Sequence, residues 1–289
     1  MIEWNPITGE PVIIAPQREN RPDVYNGAPC PFCPGAEGET PPEIARDGDP
    51  WRIRIFPNRY PATEHSEVIV ESAKHDETFD ALDADHAARG IAMTFQRYRA
   101  LAAKTPYVCI FKNHGRLAGA SIPHLHSQLV GLPFVPPRIA AEGDAFARAA
   151  TCPLCDLRAH PLIRETERYR WIAPRGARFG YQQWIVPKTH EPQLIEPHEL
   201  ATLMQASVRA MHPLSDAHNW AFINFPHEQR GHWYVEVFPR TAMIAGLEIG
   251  TGTFASSVDA AAAAQVLAQR GDRGRVACSL ETLHSSGQS

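Results

Sequence analysis

The sequence predicts an α+β fold made by tandem duplication, each half an antiparallel sheet with a helix packed on it. Three observations predict this. A pattern of cysteines and histidines occurs twice. Cys30-Pro31-Phe32-Cys33, His75 and His124-Leu125-His126-Ser127-Gln128 form the first copy, and Cys152-Pro153-Leu154-Cys155, His190 and His232-Trp233-Tyr234-Val235-Glu236 the second. In each copy a β-like run ends on the middle histidine, Ser66 to His75 and Gln182 to His190. Each such run is followed by apolar residues at helical spacing, roughly Asp80 to Ala103 and Glu196 to Met211, and then by a second β-like run.

The elements follow in the same order twice: cysteine pair, strands, histidine, helix, strand, histidine strand. The second β-like runs are Tyr107 to Lys112 and Trp220 to Phe225. The first half is expected over 1–140 and the second over 150–270, joined through Pro133 to Ala150, which contains Pro136-Pro137 and a short charged stretch. The alanines Ala260 to Ala264 read as helix, and the small, polar residues of 271–289 read as a mobile tail.

With 289 residues the chain is long enough for two domains with a buried core. A formal net charge of -4 is small for this size and gives no footprint for a nucleic-acid partner or an anionic membrane surface. No apolar run reaches membrane-spanning length, and the start, Met1-Ile2-Glu3-Trp4, has no basic and apolar leader pattern, so a cytoplasmic protein is expected. Four of the six cysteines lie in the two Cys-x-x-Cys pairs. In the cytoplasm such pairs hold metal or do redox work more often than they form disulfides. The distant histidines in both copies favour zinc, with Cys30, Cys33, His75 and His124 as one ligand set and Cys152, Cys155, His190 and His232 as the other.

Chemistry is expected in the first half. Side chains alternate along a strand, so His124, His126 and Gln128 are expected to share a face. A metal-held His124 would make a stiff mount for His126, whose neutral imidazole is a competent nucleophile. Gln128 can donate to a developing anionic oxygen. In Gly115 to Ser121, Gly119 lets backbone N–H groups approach a phosphate and Ser121 adds a hydroxyl. Arg18 and Arg21, three apart, could clamp phosphoryl oxygens or simply be solvated surface. The second half has Tyr234 where the first has His126, so one reactive half and one degenerate half are expected.

At these residues the sequence resembles the galactose-1-phosphate uridylyltransferase family of the histidine-triad superfamily, including its ADP-glucose phosphorylase-like branch. The likeness runs from Asn5 to about Gln265. It rests on Asn5 to Glu10, on Phe56-Pro57-Asn58-Arg59-Tyr60-Pro61, on Asn113 eleven residues before His124, and on Gly119 to Gln128. The resemblance implies a ping-pong transfer in which His126 takes a nucleoside monophosphate from a nucleoside diphosphate sugar and passes it to a sugar 1-phosphate, UDP-glucose with hexose 1-phosphate being the leading expectation. ADP-glucose phosphorylase or dinucleoside polyphosphate phosphorylase chemistry is the alternative. It further implies substrate contacts from Arg18, Arg21, Asn58, Asn113, Gly119 and Glu248, two structural zinc ions, and a homodimer. Leu247 and Ala242 stand where the hexose enzymes have tyrosine and lysine. A zinc-containing nucleotide-binding protein with no activity is the reading from another class, and the intact His126 and Gln128 weigh against it.

Overall fold

A computed structural model describes residues 1–190, 196–226 and 232–271. The N-terminal strands β1 (Ile2–Trp4) and β2 (Pro11–Ile13) form a small hairpin of their own. In chain order the first half then supplies β3 (Ala45–Asp47), β4 (Ile53–Pro57), β5 (Ser66–Val70), helix α1 (Ala84–Ala102), β6 (Tyr107–His114) and β7 (His126–Leu132). Helix α2 (Pro137–Arg148) follows. The second half supplies β8 (Leu162–Glu165), β9 (Tyr169–Ile172), β10 (Gln183–Pro187), α3 (Pro197–Met211), β11 (His218–Ile223), β12 (Tyr234–Pro239), α4 (Gly246–Thr251) and α5 (Ala260–Gly271).

All strands after the hairpin join one sheet of ten, in the order β3-β4-β5-β7-β6-β11-β12-β10-β9-β8. Read inward from its two edges, the sheet shows the same sequence of elements twice. The halves meet at the antiparallel β6–β11 pair, where Asn113 faces Asn219 and His114 faces His218. Two separate half-sheets are therefore fused into one continuous sheet about a pseudo-twofold. The architecture is α+β, as expected.

Helices α1, α3 and α5 cover one face. Asp83 caps α1 by accepting from the Asp85 and His86 amides, and Glu196 caps α3 by accepting from the His198 amide at 3.0 Å. Their apolar sides, Ile91, Phe95 and Leu101 on α1 and Leu200, Leu203 and Val208 on α3, bury against Ile55, Ile69, Ile110, Leu129, Val235 and Val237 of the sheet. The opposite face is covered in two ways. Residues around Phe32 and Trp51 pack on Phe56, Val68 and Val70 in the first half. In the second half α2 lays Ile139 and Phe146 on a cluster with Tyr107, Ile223 and Tyr234.

Two sequence expectations change. The stretch expected as a joint is not a plain linker but contains α2: Pro137 occupies the first helical turn, where its missing N–H costs nothing, so the proline pair starts a helix. And β7 begins at His126, so His124 and Leu125 belong to an irregular lead-in, and strand alternation does not relate the two histidines. The tail expected at 271–289 lies outside the described residues beyond Gly271. Among the described residues no helix is long and apolar enough to cross a membrane.

Candidate active site

The lead-in to β7 is where the first cysteine–histidine cluster closes. Cys30, Cys33, His75 and His124 each place one donor atom within 4.8 Å of all the others. Cys30 Sγ and Cys33 Sγ lie 3.6 Å from His124 Nδ1, and Cys33 Sγ lies 3.3 Å from His75 Nδ1. Sulfur and nitrogen ligands around a tetrahedral zinc ion sit about 3.6 Å apart. His124 is fully buried, and its Nε2–H donates to the Ser72 carbonyl at 2.7 Å, which turns the Nδ1 lone pair to the cysteines. Burial pushes the Cys30 thiol up to about 11, so a thiolate there needs a cation beside it. Donor set and spacing fit a four-coordinate metal ion with no open position.

The second cluster repeats this with Cys152, Cys155, His190 and His232, again within 4.8 Å. Cys152 and Cys155 Sγ lie 3.7 Å from His232 Nδ1, and His190 Nε2 lies 3.1 Å from Cys155 Sγ. Cys155 and His190 are exposed, whereas their counterparts in the first cluster are half-buried.

From the first cluster the chain enters β7 at His126. Its Nδ1–H donates to the His124 carbonyl at 2.7 Å. A carbonyl only accepts, so the proton is on Nδ1 and the Nε2 lone pair is left for chemistry. The Phe32 ring meets the imidazole edge-on with centroids 5.3 Å apart. Burial, foremost, holds the imidazole down to about 4, and the nearby Lys112 charge lowers it further. It is therefore neutral at pH 7.

His126 and Gln128 line a cavity of about 470 Å³ together with Arg21, Asn58, Ser121 and Phe32. Five residues expected at the site thus converge on one cavity. Arg18 stands behind it, donating to the Tyr60 carbonyl at 3.3 Å while Arg21 Nε donates to the Arg18 carbonyl at 3.2 Å. Asn113 and Gly119 are at the seam between the halves rather than in the cavity wall. Asn219 Nδ2 donates to Asn113 Oδ1 at 2.8 Å and to the Ala118 carbonyl at 3.0 Å. Gly119 has φ +87°, a left-handed conformation that favours glycine. Glu248 accepts from the Ala245 amide at 3.0 Å, capping its own short helix away from the cavity. Arg59, Tyr60, Glu39 and Thr40 also line the cavity, and sequence reasoning gave them no role. Arg59 and Tyr60 lie inside the Phe56 to Pro61 motif, which could have pointed to them.

Tyr234 and Glu236 occupy the matching places in β12. Gln128 pairs with Phe111 of β6, and Glu236 pairs with Ala221 of β11. Here there is a plug. Arg138 of α2 donates to both Glu236 oxygens, at 3.0 and 3.1 Å, and to Glu142 at 2.7 Å. Tyr234 donates to Glu142 at 3.0 Å. Arg178 and Gln182 complete the shell of Glu236, at 3.0 and 2.7 Å. These residues secure a helix and fill the core.

Known proteins are similar to this chain over much of its length. The N-terminal domain of DUF4931, a domain of unknown function, matches residues 17–135. ADP-glucose phosphorylase from Arabidopsis thaliana is 28% identical over 88% of this chain and 88% of its own. Galactose-1-phosphate uridylyltransferase from Thermotoga maritima is 26% identical over 89% of this chain and 94% of its own. The chain is a homologue of both enzymes. The crystal structure of the Arabidopsis thaliana ADP-glucose phosphorylase with bound ADP-glucose superposes with a TM-score of 0.78, 28% identity and coverage of 93% of this chain and 98% of that one. A uridylyltransferase structure superposes with a TM-score of 0.81 at 25% identity over 94% of this chain and 98% of that one. The chain therefore shares the fold of these two enzymes over nearly its full length.

Proposed function

We propose that this homologue is a nucleotidyltransferase that moves a nucleoside monophosphate through a covalent adduct on His126. The observation that carries the reading is an imidazole on a cavity wall whose Nδ1 proton is tied to a carbonyl, which leaves the Nε2 lone pair for chemistry. In the first step Nε2 attacks the α-phosphorus of a nucleoside diphosphate sugar, the bond to the bridging oxygen breaks, and a sugar 1-phosphate leaves. In the second step an acceptor phosphate oxygen displaces His126 from phosphorus. The phosphorus–nitrogen bond conserves the energy of the broken anhydride, so neither step is steeply uphill. Gln128, Ser121 and Arg21 line the same cavity and would spread charge on the phosphoryl oxygens.

The metal in this reading is structural zinc. Cys30, Cys33, His75 and His124 would hold one ion, and Cys152, Cys155, His190 and His232 the other. Zinc would supply rigidity by cross-linking the N-terminal segment to the lead-in of β7. The division into a catalytic half over 1–140 and a second half over 150–270 belongs to the same reading. So does a homodimer, since Met243, Leu247 and Ile249 are exposed around α4 and a second copy would cover them; light scattering checks it.

UDP-hexose and ADP-glucose chemistry are both supported by the relatives. Leu247 and Ala242, where the hexose enzymes have tyrosine and lysine, favour an acceptor other than a hexose 1-phosphate. Product analysis decides. The enzyme is given UDP-glucose with galactose 1-phosphate and, separately, ADP-glucose with inorganic phosphate. UDP-galactose in the first mixture identifies a uridylyltransferase, and ADP with glucose 1-phosphate in the second identifies a phosphorylase. Neither product would sink both assignments.

A further inference from the structure

Directly across the sheet from the cavity lies a polar group that the transfer chemistry above does not use. Glu71, Lys112 and Ser127 are buried on the helix-covered face, at 5%, 1% and 0% exposure. Glu71 accepts from Lys112 Nζ with one carboxylate oxygen and from the Ser127 hydroxyl with the other. The Lys112 ammonium lies 5.2 Å from the Phe79 ring centre and 5.6 Å from that of Trp220. The Glu71 amide donates to the Leu125 carbonyl at 3.1 Å. One residue thus holds both neighbours of His126, residue 125 by its backbone and residue 127 by its side chain. The Glu71 carbonyl is itself engaged by His86 Nε2 at 2.9 Å, which ties the arrangement to α1.

An ion pair this deep is a poor way to stabilise a sheet, because desolvating two charges offsets most of their attraction. The second half shows that the fold does not need it. Ser127 lies one step before Gln128, which pairs with Phe111, and Val235 lies one step before Glu236, which pairs with Ala221, and opposite Phe222. Pro187 closes β10 as Glu71 follows β5. The places of Glu71, Lys112 and Ser127 are therefore taken by buried Pro187, Phe222 and Val235. The half with Tyr234 in place of the histidine has an apolar trio, and the half with His126 has the charged one.

We infer that Glu71, braced by Lys112, is a positioning residue that holds the Leu125 backbone and the Ser127 side chain on either side of His126 and so aims its Nε2 into the cavity. The inference rests on the nucleotidyltransferase reading and deepens it. Small angular errors in a nucleophile cost rate without costing binding. The test uses the full, metal-loaded chain and whichever of UDP-glucose and ADP-glucose labels the wild type. Nucleotide affinity and the single-turnover rate of adduct formation are measured for Ser127→Ala and for the double variant Glu71→Leu with Lys112→Met. Adduct formation is expected to slow about ten-fold or more in both, with affinity within about two-fold of wild type and the double variant melting no lower. Wild-type rates in Ser127→Ala, or a loss of rate matched by an equal loss of affinity, would overturn the inference. If the double variant does not fold, Ser127→Ala decides alone. A wild-type chain that takes up no nucleotide sinks the transferase reading and this inference with it, whereas labelling at equal rates in all three sinks this inference only.

Discussion

His126 of β7 and Tyr234 of β12 hold matching positions in one sheet, yet one faces a cavity of about 470 Å³ and the other a packed helix. The strands beneath them follow the same order. What differs is the cover. Residues 20–41 lie over the first half and leave room beside Phe32, Ser121 and Gln128. Over the second half α2 inserts Arg138 between Glu142 and Glu236 and gives the Tyr234 hydroxyl a carboxylate. A duplicated scaffold can thus keep both cysteine–histidine clusters while one half keeps its pocket and the other fills it. Whether a strand faces a cavity is decided by a few side chains and by the segment laid across them, not by the sheet.

The comparison can be broken most forcefully at the metal clusters. Structural zinc in small domains contributes apparent free energies on the order of 10 kcal/mol, so stripping the metal should unfold the first half rather than merely slow it. Circular dichroism and protease digestion during chelation check this, and metal analysis should give about two zinc ions per chain. Cys155→Ser, in the more exposed cluster, should lower the melting temperature while adduct formation continues. The next effect is on rate. His126→Ala should lower turnover by on the order of 10⁴-fold or more, while Tyr234→Phe should leave it within about two-fold and cost about 1 kcal/mol in urea unfolding. Equal losses of rate from both would mean that the second half also carries chemistry.

The plug makes a smaller, structural prediction. Arg138→Met leaves Glu236 buried with only Arg178 and Gln182, which should cost about 3 kcal/mol. The double variant Arg138→Met with Glu236→Leu should recover most of that, with turnover unchanged throughout. The smallest effect is at the seam. His114 and His218 stack with centroids 4.7 Å apart, and burial, aided by Lys112, holds both below the ordinary imidazole value. The unfolded chain takes up these protons first, near pH 6.5, so the stability they contribute is complete above that pH and is lost as pH falls below it. His212, raised by its bond to Asp80, works in the opposite sense. Urea midpoints should therefore fall modestly between pH 7 and pH 5, and less so in His218→Phe.

Much of this was legible in the sequence. The repeated order of elements followed from hydrophobic periodicity. The two ligand sets followed from cysteine spacing and paired histidines, and the structure brings each set of four donors together. Residues of the cavity that sit in one motif, Ser121 to Gln128, were legible because a short segment fixes their neighbours. Three things were hidden. The Pro136-Pro137 pair signals a break and a helix start equally well, so the plug did not announce itself. Glu71, Lys112 and Ser127 carried no role in the sequence, because nothing in a strand's alternation reveals that opposite charges are buried together. Asn113 and Glu248 were carried by resemblance alone and Arg18 also by its spacing to Arg21, and within this chain their side chains engage Asn219, the Ala245 amide and the Tyr60 carbonyl.

The central claim is that His126 bonds to phosphorus, and intact-mass measurement under alkaline conditions tests it most directly. After incubation with UDP-glucose or ADP-glucose, the wild-type chain should gain the mass of one UMP or one AMP, and His126→Ala should gain neither. An adduct that survives in His126→Ala, or no adduct from any nucleotide, would contradict it.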